Sequence, residues 1–277
     1  MSTLVFAVVL SAALLHAAWN AIVKSAHDTF LTTIMVTAAA AVMAAALLPF
    51  LDAPARASWP CIAASTLFQV AYFLLVACTY RITDMSLAYP LMRGTAPFLV
   101  ALATVFVLGD ALSFFAWCGV VGICVGILSM ALGSNLRHPR GMLLALLNAF
   151  VIAGYTLIDG MGVRLSGAPA SYTLCIFLAT GIPLTVWALA ARSSTFVPYV
   201  MRYWRLGIAG GVGATASYGL ALWAMTVTPV AVVAALRETS ILFAVLIAGL
   251  VLEEHVGVRR IIPVCIIAGS AAVLRLA

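Results

Sequence analysis

Charge is what this sequence has least of. Of its 277 residues only 8% are Asp, Glu, Lys or Arg, with Lys24 the single lysine, whereas a soluble domain carries roughly 25%. A water-facing surface cannot be built from so few charges, so a soluble fold is excluded. No basic cluster interleaved with aromatics occurs either, and the net charge of +6 therefore does not point to nucleic acid. CxxC spacing is absent: Cys61, Cys78, Cys118, Cys124, Cys175 and Cys265 all fall within apolar runs. They read as small buried side chains, with neither a disulfide framework nor a metal site. GxSxG, HExxH and His–carboxylate metal spacings are missing too, so no enzyme chemistry and no cofactor is expected. The first apolar run lacks a basic leader segment and extends for about 20 residues, which suits a retained span better than a cleaved signal.

Long apolar runs fill the space that charge leaves. The chain is 65% hydrophobic with a mean hydropathy of +1.20, and its runs are apolar on all sides instead of alternating as in a closed barrel. An all-α integral membrane protein follows, with the lipid bilayer as its surroundings. Ten spans are predicted, at about 3–23, 30–51, 59–79, 85–108, 112–132, 141–163, 171–191, 205–226, 229–251 and 257–275. The longest connection, around Arg192 to Tyr203, is polar enough to lie along the membrane surface. Most of the extramembrane Lys and Arg follow odd-numbered spans, Arg137 among them. By the positive-inside rule both termini then lie outside the cytoplasm.

An internal repeat organises the chain. Shifted by 144 residues, YPLMRGTAPFLVALATVFVLGD (89–110) falls on VAALRETSILFAVLIAGLVLEE (233–254), so Arg93 meets Arg237, Thr95 meets Thr239 and Asp110 meets Glu254. With two residues of slippage Tyr72 meets Tyr218. The predicted architecture is therefore two five-helix repeats, 1–136 and 137–277. Because five spans is an odd number, the second half enters from the opposite face and the repeat is inverted.

Two charges, Arg237 and Glu238, stand mid-span, and Arg93 stands at the matching depth of the fourth span. Each such group costs roughly 2.5–3.5 kcal/mol at the bilayer centre, so a site or an internal ion-pair network must hold them. Arginine's fork suits a substrate carboxylate or phosphate. Glu238 suits an ammonium, a coupling proton or an arginine. Pro90, Gly94 and Pro97 flank Arg93 and predict bending or unwinding there. Thr239 completes the repeated Arg-x-Thr. Trp19 and Asn20 end the first span as interface anchor, helix-packing polar group or cavity wall. His16 reads as a core histidine, Tyr72, Tyr218 and Trp223 as aromatic packing surface, and Tyr155 as aromatic surface for packing or, with Trp19 and Tyr89, for a substrate side chain. Asp159 reads chiefly as a partner of Arg164. GVVGICVG (119–126) and GIAGGVG (207–213) are small-residue seams for close helix packing.

With HAAWN in the first span, SLAYPLMRGTAP in the fourth, AALRETSILFA in the ninth and acidic residues closing the fourth and ninth, the chain resembles the drug/metabolite transporter superfamily. More narrowly it is similar to the EamA-type ten-helix exporters, among them the aromatic amino acid exporters. The resemblance implies a bacterial inner-membrane bundle with a central cavity and alternating access, exporting amino acids or related small metabolites. Its matching positions are Trp19, Asn20, Tyr89, Arg93, Arg237, Glu238 and Thr239. Asp110 stands where relatives carry Glu, and the resemblance implies cytoplasmic termini, against the loop charges. A proton is a candidate coupling ion, and a monomer is expected. Export of cationic drugs through Glu238, or a non-transporting assembly factor, are the alternatives.

Overall fold

Short polar side chains set where several helices begin. Ser2, Asp28 and Ser113 each accept the amide of the residue three positions on, at 3.3, 2.9 and 3.1 Å, satisfying donors that a helix start leaves without partners. The computed structural model describes residues 1–131, 139–250 and 258–277. Its helices are α1 (Thr3–Ser25), α2 (Thr29–Leu47), α3 (Trp59–Ile82), α4 (Met85–Phe106), α5 (Phe114–Ser129), α6 (Pro139–Ser166), α7 (Pro169–Met225), α8 (Val230–Arg237), α9 (Ser240–Leu250) and α10 (Val258–Leu274). The expected boundary between halves, Arg137 and the pair Glu253–Glu254 lie outside the described residues.

Among the described residues seven helical stretches are long and apolar enough to cross a membrane, and Phe114–Ser129 and Ile261–Leu274 are shorter apolar helices. The protein is a multi-pass membrane protein.

The runs 171–191 and 205–226 and the connection between them all belong to α7, 57 residues with non-helical backbone only at Arg192 and Tyr203, the two ends of the expected connection. Phe196, Tyr199 and Tyr203 between them pack on Leu31, Ile34 and Met35 of α2, and the Tyr199 hydroxyl lies 2.6 Å from Thr32 Oγ1. That burial keeps a Ser- and Pro-containing segment helical. One expectation fails: α4 does not unwind at its prolines and stays helical through Pro90 and Pro97. The helix interruption falls instead at Glu238–Thr239, between α8 and α9.

Straight, α7 would be roughly 85 Å long, far beyond a hydrocarbon core of about 30 Å. Its contacts show that it doubles back. On one side of the joints Gly181 meets Thr37 and Ala41 of α2; on the other, Gly207, Gly210 and Gly211 meet Met35, Val36 and Ala40. The first arm runs back along α2, with Trp187 and Arg192 reaching Phe30, and the second runs forward along it, so the two arms are antiparallel. The seam at 119–126 works as expected, with Gly119, Gly122 and Gly126 against Leu274, Ser270 and Ile267 of α10.

These close approaches leave no space for a side chain. A Cβ on Gly181 would stand 2.6 Å from Ala41 Cβ and 2.8 Å from the Thr37 carbonyl oxygen, whereas one on Gly269 would meet nothing within 4 Å. Gly181→Ala is expected to cost about 1–3 kcal/mol through overpacking, while Gly269→Ala is neutral or gains up to about 1 kcal/mol in helix propensity. Thermal melts of the two variants in detergent test the contrast; equal melting temperatures would refute it.

Candidate functional site

The site forms where α4, α6 and the α8–α9 junction converge. Around Glu238 the backbone tightens: the amides of Glu238, Thr239, Ile241 and Leu242 each donate to the carbonyl three residues back, at 3.0, 3.1, 3.0 and 2.9 Å. Arg237 thus closes α8 and Glu238 precedes α9. A cation at a helix C-terminus and an anion ahead of a helix N-terminus both suit the peptide dipoles.

Glu238 turns to α4. Its Oε2 lies 2.9 Å from Arg93 Nε, with both side chains almost wholly buried. The contact is ionic more than a hydrogen bond, since the Arg93 N–H is not aimed at the oxygen and both atoms lack an aligned partner. Tyr89, one turn before Arg93, is within hydrogen-bonding reach of that guanidinium. Pro97 has no amide to offer the Arg93 carbonyl four residues earlier, so a backbone acceptor is freed beside the charge.

Arg237 is held differently. Its guanidinium carbon stands 5.0 Å over the Tyr218 ring, and among the described residues it makes no ion pair within 4.0 Å. Arg93, Arg237 and Glu238 border one small cavity with Ala96, Pro97, Val100, Ile152, Tyr155, Thr156 and Ala234, whose volume of about 20 Å³ is room for roughly one water. Small-molecule pockets usually span roughly 300–1,000 Å³. The space is tight, and its lining side chains carry two positive charges against one negative.

Of the residues expected at the site, Arg93, Arg237, Glu238 and Tyr155 line this cavity, and Tyr89 reaches it through Arg93. Three do not line it. Thr239 is buried and donates its hydroxyl to the Leu236 carbonyl at 2.7 Å. Asn20 is exposed and donates to the His16 carbonyl at 2.7 Å. Trp19 packs edge-on against His16, ring centres 5.4 Å apart, with its Cβ facing Gly213.

Asp159 is a correction. Arg164 does not pair with it: Arg164 lies 3.6 Å from Asp110 Oδ2 and donates to the carbonyls of Met225 at 2.8 Å and Thr228 at 3.1 Å. Asp159 is fully buried, accepting from Tyr172 at 3.1 Å and from Tyr218. Two residues five apart on a helix point roughly 140° away from each other, and the spacing alone disfavoured that pair. Tyr218, read from sequence as packing, both underlies Arg237 and binds Asp159; its match to Tyr72 under the repeat was the available signal. Thr156 and Ile152 carried none.

Residues 139–276 carry an EamA-like transporter family domain. A solved structure described as a crystal structure of protein shares the fold with a TM-score of 0.78, covering 100% of this chain and 98% of that chain at 20% identity. At that identity the likeness concerns the fold alone.

Proposed function

We propose that the protein is a secondary transporter that exports amino acids or related small metabolites across a bacterial inner membrane by alternating access. The observation that carries this is Arg237: a guanidinium bordering an interior cavity, with no ion-pair partner among the described residues. Such a charge at membrane depth asks for a mobile anion, and a carboxylate fits its fork. Arg93 with Glu238 borders the same cavity, offering an ammonium a carboxylate partly offset by its arginine. Tyr155 supplies apolar surface for a side chain. The EamA-like domain over 139–276 agrees with small-molecule transport.

The architecture we attach to this is ten crossings in two inverted repeats, 1–136 and 137–277, with the arms of α7 counted separately and α8–α9 as one broken crossing. Its support is the paired setting of the two arginines. Arg237 rests on Tyr218, and Tyr72, the residue matching Tyr218 in the repeat, packs edge-on against Tyr155, which borders the cavity with Arg93. A cationic drug suits the cavity less well, because Glu238 is already in contact with Arg93 and the lining is net positive.

Counterflow in proteoliposomes tests the proposal. Labelled amino acids should exchange, while their methyl esters and the corresponding decarboxylated amines should not. Exchange of the amines in place of the acids would reverse the assignment toward cations. No exchange of any of them would sink the transport function.

A further inference from the structure

Beneath the cavity lies a second buried charge that the proposed transport route does not use. Asp159 follows Tyr155 by four residues on α6, so the two share a helix face; Tyr155 borders the cavity and Asp159 lies one turn beyond it. The carboxylate is fully buried and its known contacts are neutral hydroxyls. Oδ1 accepts from Tyr172 at 3.1 Å, Oδ2 accepts from Tyr218, and Ser65 of α3 is a third donor. Among the described residues no cation lies within 4.0 Å of it. The titratable and charged groups facing it are Cys61 from α3, Tyr155 on α6, Tyr172 and Tyr218 from α7, and Arg237 at the end of α8. Arg164 is engaged elsewhere.

The helix around Asp159 is closely packed. Gly162 lets the Tyr172 hydroxyl and Cys61 close over the site, where a Cβ would stand 2.1 and 2.6 Å from them, and Gly160 is sealed by Val230 at 2.5 Å. An ionised carboxylate with no cation in contact is expensive at this depth, and proton uptake is the way to neutralise it that needs no space.

Resting on the transport function proposed above, we infer that Asp159 is the protein's proton-binding site and that Tyr218 relays its state to Arg237. The step is –COO⁻ plus H⁺ giving –COOH, with no other bond made or broken. Protonation makes Oδ2 a weaker acceptor for the Tyr218 hydroxyl, and a proton taken up on the lone pair that Tyr218 now fills displaces that hydroxyl proton. On that lone pair Tyr218 turns from donor to acceptor or withdraws. Its ring is the surface on which Arg237 rests, so the guanidinium is repositioned in the same event. Neutralising Asp159 also removes a negative charge that competes for Arg237, so proton and substrate carboxylate each favour binding of the other. Asp159 is thus a positioning residue, acting on the substrate through Tyr218 and Arg237.

Infrared difference spectra of the purified protein between alkaline and acid pH read the proton directly, with no substrate added. The wild type should show a reversible carboxylic-acid C=O band that Asp159→Asn removes, Glu238→Gln keeps and Tyr218→Phe shifts. Counterflow of labelled phenylalanine adds the relay: the wild-type exchange should vary with pH by up to roughly tenfold per unit, the limit for one linked proton, and Tyr218→Phe should flatten that slope while retaining a band. A wild type without the band, or a band untouched by Asp159→Asn, overturns the proton site even if amino acids exchange. A band that depends on Asp159 in a protein that exchanges none of the panel supports the proton site while the transport function falls. A slope unchanged in Tyr218→Phe overturns the relay.

Discussion

Glu238→Leu alone is expected to strip the protein of much of its stability, and adding Arg93→Met to it should restore the fold without restoring transport. The single change leaves Arg93 buried without its carboxylate, 2.9 Å from which it now sits. Removing one partner of such a pair costs about 3–5 kcal/mol, whereas replacing both by apolar residues of similar volume is often neutral or stabilising. Melting in detergent should fall by roughly 10 °C for the single variant and return in the double one. The imperfect aim of the Arg93 N–H makes recovery the easier half of the expectation. Counterflow decides the functional half, since a double variant that exchanges amino acids like the wild type would reduce the pair to a packing device.

Arg237→Ala should do the opposite, sparing the fold and removing the substrate. What holds Arg237 is the face of Tyr218, worth about 0.5–2 kcal/mol, and the relief of an unpaired buried charge offsets part of that loss. Hydrogen bonds to a charged group contribute roughly 1.5–3 kcal/mol, so affinity for a carboxylate-bearing substrate should drop roughly 10- to 100-fold. Arg237→Lys keeps the charge and loses the fork, and should recover only part of the affinity. Concentration dependence of counterflow separates these cases. An unaltered half-saturation in Arg237→Ala would remove the anion site from the protein.

Both variants were suggested by the sequence, because two arginines 144 residues apart in long apolar runs are legible without coordinates. The cavity lining at Arg93 and Arg237 followed from that pairing, with Glu238 beside Arg237, whereas Tyr155 was legible only as one aromatic among several. The helix break did not. Prolines 90 and 97 are conspicuous, yet α4 holds around them, while no proline or glycine marks the turn at Glu238–Thr239. What coincides with that turn is the Glu238 carboxylate reaching across to Arg93, a tertiary demand that local propensity cannot report. The helical conformation of residues 193–202 has the same kind of cause: Phe196, Tyr199 and Tyr203 find a partner in α2. Asp159 was given the wrong neighbour because distance along the chain was weighed before helical angle.

The doubled-back course of α7 bears on where movement can occur. With glycine at the contact on either flank, α2 sits between the two arms with backbone close to backbone, and sliding any one of the three would need atoms to pass through one another. This trio behaves as a stator. Rearrangement that admits a solute must be taken up by the remaining helices, with the helix interruption between α8 and α9 as the natural pivot. Bolting α2 to α7 with an engineered disulfide should therefore leave turnover intact, whereas bolting α4 to α8 across the cavity should halt it.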